Sequence, residues 1–315
     1  MDRFIRSVWE VIEGQPCTQS YEFVNEAKAL QASLRKSTGN VTYIVGGVLI
    51  EDDKLLMIQE AKKSCRGLWY LPIGRLETGE TLEAGAQREV LEESGIKFTP
   101  KSLVCVEWYD GHWIRFIFTG QDVEGKLKTP EQQDHESIQA DYFTDEQVRS
   151  HLKLRCKDAL DVISRTQSWY KNLVANTQAI LLPVCRPHKT VAVRILLAGC
   201  IKDTKEVYIL AELGPNMHLP ISVLDKHARK TGPAAVENAV KSAGYHGTFD
   251  IKGVLSVEHS GETNGHDGIW LTLFATTTKF TKDSKNWINI DSDQGLKQKI
   301  LKLMHETKLV PIYTD

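Results

Sequence analysis

An α/β (α+β) fold, present twice in one chain, is what this sequence predicts. Three observations carry the prediction. Val- and Ile-rich runs of strand length alternate with Ala-, Leu- and Glu-rich helical stretches, with Gly, Asp and Pro clusters between them. The order of these elements recurs at a period of roughly 149 residues, too long for a solenoid. A length of 315 residues suits two domains of ordinary size.

Residues 1–39 read as a helical extension packed on the domain that follows. Phe4, Ile5, Val8, Trp9 and Ile12 recur at helical spacing, and YEFVNEAKALQASLRK continues in the same style. Residues 40–172 read as the first domain. VTYIVGGVLI is a buried strand, Glu51-Asp52-Asp53 a turn, and LLMIQE the returning strand. A basic loop, AKKSCRG, leads to the short aromatic strand LWYLP. Residues 81–94 form a helix ended by Gly95 as C-cap. KSLVCVEWYD and HWIRFIFTG make a second hairpin, ADYF a last short strand. The stretch from Phe143 to Ala175 is helical with one break. Residues 173–187, with two prolines, read as a linker. Residues 188–315 repeat the pattern: TVAVRILLAGCI and EVYILAE mirror the first hairpin, PAAVENAVKSAGY mirrors the helix, and Gly244 stands where Gly95 stands.

Composition excludes several classes. Hydrophobic residues make up 41% and charged residues 25%, the balance of a soluble globular protein. A net charge of -2 gives no global basic field, so neither a nucleic-acid polymer nor a membrane surface is expected as partner. Six cysteines, none in a C-x-x-C pair, read as reduced thiols of a cytoplasmic protein. The first residues lack the apolar core of a signal peptide, and no run is long enough to span a bilayer.

One stretch carries chemistry. From Gly74 the chain reads GRLETGETLEAGAQREVLEESGI. Glu89, Glu92 and Glu93 stand at i, i+3, i+4, so their carboxylates share one helix face. Only Arg88 and Lys97 lie near enough in sequence to neutralise them. A solvated face usually interleaves Lys or Arg; three clustered carboxylates are better explained by a bound cation, and like charges so placed raise one another's pKa. Oxygen-only ligands point to a hard ion, magnesium or manganese. Magnesium shares carboxylates with substrate phosphates, which predicts a phosphorylated small-molecule substrate.

The same stretch fits G-x5-E-x7-R-E-U-x-E-E-x-G-U, with U a bulky aliphatic, at Gly74, Glu80, Arg88, Glu89, Val90, Glu92, Glu93, Gly95 and Ile96. At roughly 5–10% per residue type, seven fixed identities match by chance about once in a hundred million starts. This is the Nudix box, and the chain is identified by it as resembling the Nudix hydrolases. The wider stretch IQEAKKSCRGLWYLPIGRLETGETLEAGAQREV resembles the animal branch that hydrolyses 8-oxo-guanine nucleoside diphosphates. The resemblance implies an α/β/α sandwich with a mixed sheet, followed here by a second, degenerate Nudix-like domain. It implies that Glu89, Glu92 and Glu93 are catalytic and hold Mg2+, for which Mn2+ can substitute, together with the Gly74 carbonyl. It gives Arg88 and Glu80 a structural pairing that braces the loop. Family members often add a metal-linked acid after the second hairpin; Glu136 fits that place, and Asp134 and Asp141 compete for it. Ile73 departs from the pattern, since many members carry Gly there. The reaction implied is 8-oxo-dGDP or 8-oxo-GDP to the monophosphate plus phosphate. The alternatives are another nucleoside diphosphate derivative such as ADP-ribose, or a nucleotide-sensing module without turnover.

Arg66 and Arg75, with Lys62 and Lys63, flank the box and are candidates to clamp phosphates. Trp69, Tyr70, Trp108, Tyr109 and Trp113 are candidates to stack on a base, with core packing as the alternative for most of them; Trp69 is the one assigned to the substrate. Arg115 lies in an apolar strand and needs a partner if it points inward; a phosphate or a buried carboxylate would both serve. In the second copy Asn238, Lys241 and Ser242 replace the three glutamates, Glu237 replaces Arg88, and Arg229 falls near the place of Glu80. That half is expected to be catalytically silent and kept for packing, for a homodimer, or for shaping the pocket.

Overall fold

The computed structural model describes residues 1–17, 41–109, 112–224, 232–262 and 268–314. The expected helix YEFVNEAKALQASLRK and Arg229 lie outside the described residues. The chain divides into two compact units: residues 42–107 with 113–176, and residues 1–41 with 108–112 and 177–315.

The first of these units contains strands β1 (Thr42–Gly47), β2 (Ile50–Glu51), β3 (Lys54–Glu60), β4 (Trp69–Tyr70), β5 (Ile73–Arg75), β6 (Ile96–Tyr109), β7 (Trp113–Gly125) and β8 (Ser137–Thr144). Strand β1 lies between parallel β7 and antiparallel β5, so the sheet is mixed. A second sheet pairs β3 with β2, β4 and β8. Asp52 and Asp53, between β2 and β3, both have positive φ, which the two-residue hairpin turn demands and Asp tolerates. Helix α2 (Leu82–Ser94) begins at Thr81, whose hydroxyl accepts the Ala84 N–H at 3.2 Å, and ends at Gly95 in the left-handed region at φ 79°. The helical stretch predicted after Phe143 forms α3 (Asp145–Ser150) and α4 (Asp158–Val174), broken between them. Ala159, Val162, Ile163 and Trp169 of α4 close the core over Val48, Leu55, Met57 and Ile117.

The other unit repeats the strand arrangement. β9 (Ala192–Cys200) lies beside parallel β13 (Trp270–Thr277) and antiparallel β11 (Ile221–Val223), with β12 (Asp250–Glu258) beyond β13. Here β10 (Val207–Leu210) also joins β9, and β14 (Trp287–Asn289) extends that edge. Helices α5 (Gly232–Ser242) and α6 (Gln294–His305) complete it. Helix α1 (Asp2–Ile12) belongs to this unit, not to the domain that follows it in sequence. Its buried stripe of Phe4, Val8 and Val11 packs with Leu196, Val207 and Ile209, because spacing of four and three puts all three on one face. Trp9 donates its indole N–H to Asp293 at 2.8 Å, and Asp293 caps α6 through the Leu296 N–H at 2.9 Å. The linker read over 173–187 also differs. It starts inside α4, and its later part is hydrogen-bonded into this unit at Ala179 to Lys308 (2.9 Å) and Val184 to Val257 (2.7 Å).

Register exposes what separates the two copies. Gly46 faces Ile73 and Ile117 across its strands, and Arg194 faces Ile221 and Thr272 in the corresponding place. Arg194 is buried there and donates to Glu258 and Thr272, both at 2.9 Å. His188 bonds the other Glu258 oxygen at 2.8 Å and stacks on Trp270. Burial pushes the Glu258 carboxyl up, but Arg194 and His188 outweigh it and hold it at about 2.

Candidate active site

The site begins where β5 meets α2. A Cβ at Gly74 would overlap the Glu89 carboxylate, so glycine there leaves that side chain its place between the strand and the helix. Glu89 and Glu93 face inward and are buried, Glu93 to 1% exposure, while the Glu92 side chain is 47% exposed. Glu93 accepts the Ile73 N–H at 3.1 Å, which ties the helix to the start of β5.

Two cationic side chains serve the acids. Arg88 grips Glu80 with two bonds of 2.7 and 2.9 Å and reaches Glu89 at 2.9 Å and Glu92 at 3.0 Å. It also donates to the Arg75 carbonyl at 2.9 Å, so one guanidinium braces the loop between β5 and α2. Lys62, from the loop after β3, lies 3.7 Å from Glu93. The face is therefore better neutralised than the sequence indicated, and chiefly from Arg88. The hydrogen bonds from Arg88 hold Glu80 below the usual carboxylate range. Burial pushes Glu93 well above that range; Lys62 opposes the shift, and Glu89, Glu60 and Glu136 reinforce it. Burial likewise raises Glu89 against Arg88, helped by Glu136 and Glu92.

Of the three acids weighed after the second hairpin, Glu136 is the one whose charge is felt by both Glu89 and Glu93. Its carbonyl accepts the Ala61 N–H at 3.1 Å, beside the end of β3. Asp134 is engaged elsewhere: Lys128 lies 2.6 Å away, and that amine with two peptide N–H groups overcomes burial to hold its carboxyl at about 2. Asp141 is exposed on β8, across from Met57.

These donors fit a hard divalent cation. Glu89, Glu92, Glu93, Glu136 and the Gly74 carbonyl offer oxygen alone, and two carboxylates whose burial favours the neutral form gain from a positive partner. Among the described residues no three acidic, histidine or cysteine side chains converge closely enough to form a metal-binding group.

The substrate-side candidates fare differently. Arg75 is exposed at the end of β5. Arg66 is partly engaged, donating to the Ala61 carbonyl at 3.1 Å and to Gln133 at 3.0 Å. Trp69 is half-buried with its ring edge-on to Phe143, 4.8 Å between centroids. Arg115 has to be corrected. It is buried, pairs with Glu107, and donates to Asp158 and to the Tyr70 hydroxyl at 2.9 Å each. The inward-pointing arginine met carboxylates rather than a phosphate, and it braces the strand that carries Trp69. Sequence reading missed Glu60, the last residue of β3, buried and paired with Arg155 at 2.5 Å. Alternation alone puts Glu60 on the strand face of Leu56 and Ile58, and only the burial of that face shows that the acid is enclosed.

In the other unit, Asn238, Lys241 and Ser242 occupy the α5 positions of the three glutamates. Lys241 pairs with Glu237 at 2.7 Å and Ser242 donates to Glu212 at 3.1 Å. One lysine and two neutral side chains cannot replace three carboxylates around a cation. No described helix is long and apolar enough to cross a membrane.

Comparison with known proteins bears on the family. The family model described as NUDIX domain matches residues 42–165. The 8-oxo-dGDP phosphatase NUDT18 of Homo sapiens is 30% identical over 290 residues, 87% of each chain. Its namesake in Danio rerio is 31% identical over 320 residues, 93% of each chain. Among solved structures, a NUDIX hydrolase from Nitrosomonas europaea is 27% identical, covering 41% of this chain and 90% of that one at a TM-score of 0.37. With a matching domain model and relatives aligned along most of its length, this chain belongs to the Nudix hydrolase family.

Proposed function

We propose that this protein hydrolyses the pyrophosphate bond of nucleoside diphosphates with magnesium, and that 8-oxo-dGDP and 8-oxo-GDP are its substrates. The products are the nucleoside monophosphate and inorganic phosphate, from one water. The observation that carries the reading is the acidic face of α2: two buried carboxylates and one exposed, flanked by Glu136 and by the Gly74 strand. Glu89, Glu92, Glu93, Glu136 and the Gly74 carbonyl would hold magnesium, for which manganese substitutes. The cation supplies charge neutralisation for the diphosphate and a lowered pKa for bound water.

The chain's own residues do the rest. One of the two buried carboxylates of α2, Glu89 or Glu93, takes the proton of the attacking water. Arg88 fixes the direction of both Glu80 and Glu89, so the loop and the acids keep one geometry. Arg75, exposed beside the box, is placed to meet phosphate oxygens. Attack at the terminal phosphorus is favoured, since three outer oxygens can spread charge there.

The base and the number of phosphates rest on the relatives named 8-oxo-dGDP phosphatase. A panel of 8-oxo-dGDP, dGDP, 8-oxo-dGTP and ADP-ribose, assayed with magnesium, tests the choice. Higher kcat/KM for the oxidised diphosphate supports it. Preference for ADP-ribose, or pyrophosphate released from a preferred triphosphate, rejects it.

A further inference from the structure

Glu60 closes β3 in a place where an acid costs stability. Its side chain is 1% exposed. Arg155 satisfies one oxygen, Oε1, at 2.5 Å. The other oxygen, Oε2, is fully buried and meets no donor among the described residues. A buried carboxylate oxygen without a donor incurs the full desolvation penalty of that group, so an unpaired one calls for a physical explanation.

The surroundings identify that partner. Glu60 stands opposite Ser137 in the β3–β8 pairing, next to Glu136. The next residue, Ala61, donates to the Glu136 carbonyl, and the Ser137 hydroxyl donates to the Glu93 carbonyl at 2.7 Å. The end of β3 is thus stitched to both the helix and the loop that carry the acids. The charge on Glu60 is among those that push Glu93 upward, so the two carboxylates share one electrostatic environment. Nearby cations are already committed: Arg155 to Oε1, Lys62 to Glu93, Lys128 to Asp134 and the Glu92 carbonyl.

We infer that Glu60 is a further acidic residue of the cation site, a positioning residue whose Oε2 accepts from the hydration shell of the divalent cation held by Glu89 and Glu93. Arg155 pairs with the opposite oxygen, Oε1, and leaves Oε2 to the cation site. A strongly hydrated divalent ion is the partner such an oxygen suits, because it keeps several waters and polarises them into strong donors. The inference rests on reading Glu89 and Glu93 as cation holders.

The test is Mn2+ binding to the full-length protein without nucleotide, followed by the loss of free-ion electron paramagnetic resonance signal. Glu60→Gln keeps an oxygen for Arg155 and removes the charge. It is expected to weaken Mn2+ binding about tenfold, the scale of lost outer-shell partners, while the cation-free melting temperature holds or rises. Arg155→Met removes the ion pair but leaves the acid, and is expected to bind Mn2+ at least as well as wild type. Wild-type affinity in Glu60→Gln, with weakened binding in Glu93→Gln, would overturn the role of Glu60 alone and leave it as a counter-ion of Arg155. Wild-type affinity in Glu93→Gln as well would overturn the cation site itself. Equal loss of affinity in Glu60→Gln and Arg155→Met would assign the effect to the ion pair and also reject the inference.

Discussion

Replacing Arg115 with methionine separates a structural role from a substrate-binding one. Methionine fills much of the volume and removes every donor. Glu107 would keep Arg165, and Asp158, its side chain one-third exposed, would keep Tyr70. Removing one partner of a buried ion pair costs about 3–5 kcal/mol. The surviving partners and the partial exposure of Asp158 place this case at the lower end, about 3 kcal/mol. For a unit of this size that is a fall in melting temperature of roughly 10 °C. Activity should be measured below the transition. KM for a nucleoside diphosphate is expected within about twofold of wild type, because the guanidinium is enclosed by protein groups. Calorimetry and steady-state kinetics on one preparation decide it. A melting temperature within a degree of wild type together with a tenfold rise in KM would refute the reasoning and return Arg115 to the substrate.

Three further outcomes follow from the charges. Burial raises Glu89 and Glu93, so their contribution to magnesium-free stability is complete below the ordinary carboxylate value of 4.5 and is lost as pH rises through their raised values. Thermal melts with chelator across pH 4–8 should show this decline, and saturating magnesium should remove it; a chelator-treated protein that gains stability through that range would contradict the assignment. Glu258 has the opposite sign: its carboxyl is held at about 2, so it contributes stability above pH 4.5, by about 3 kcal/mol, that disappears as pH falls toward 2. An unchanged acid limb in Glu258→Gln would show that the Arg194 pair does not matter to acid unfolding. Arg88→Met should cost about 2 kcal/mol and most of the activity, since it frees Glu80, Glu89 and Glu92 together; near-normal turnover would remove the brace from the account.

Periodicity located the elements well because each has a face buried against another. The spacing of Glu89, Glu92 and Glu93 fixed their shared helix face, and Thr81 and Gly95 bound that helix on both sides. Four things were illegible for physical reasons. The three residues of β5 are too few to show alternation, so Ile73 to Arg75 carry no strand signal of their own. The placement of α1 with Leu196 and Val207 depends on long-range packing that no local pattern encodes. Arg115 offered two partners with identical chemistry, phosphate oxygen or carboxylate oxygen, and only the fold brings Glu107 and Asp158 to it. Glu60 was hidden by its neighbours: an acid ending an apolar strand resembles the first residue of a solvated loop until its burial is known.

The central claim is that the α2 carboxylates drive magnesium-dependent cleavage of a nucleoside diphosphate. Phosphorus magnetic resonance of 8-oxo-dGDP turnover, with wild type and Glu93→Gln side by side, tests it most directly. Wild type with magnesium should yield the monophosphate and inorganic phosphate one for one. Glu93→Gln should fold as stably as wild type yet lose at least a hundredfold in rate, with nothing added by the Asn238, Lys241 and Ser242 copy. Comparable rates in the two proteins, or wild-type turnover that persists in excess chelator, would contradict the account.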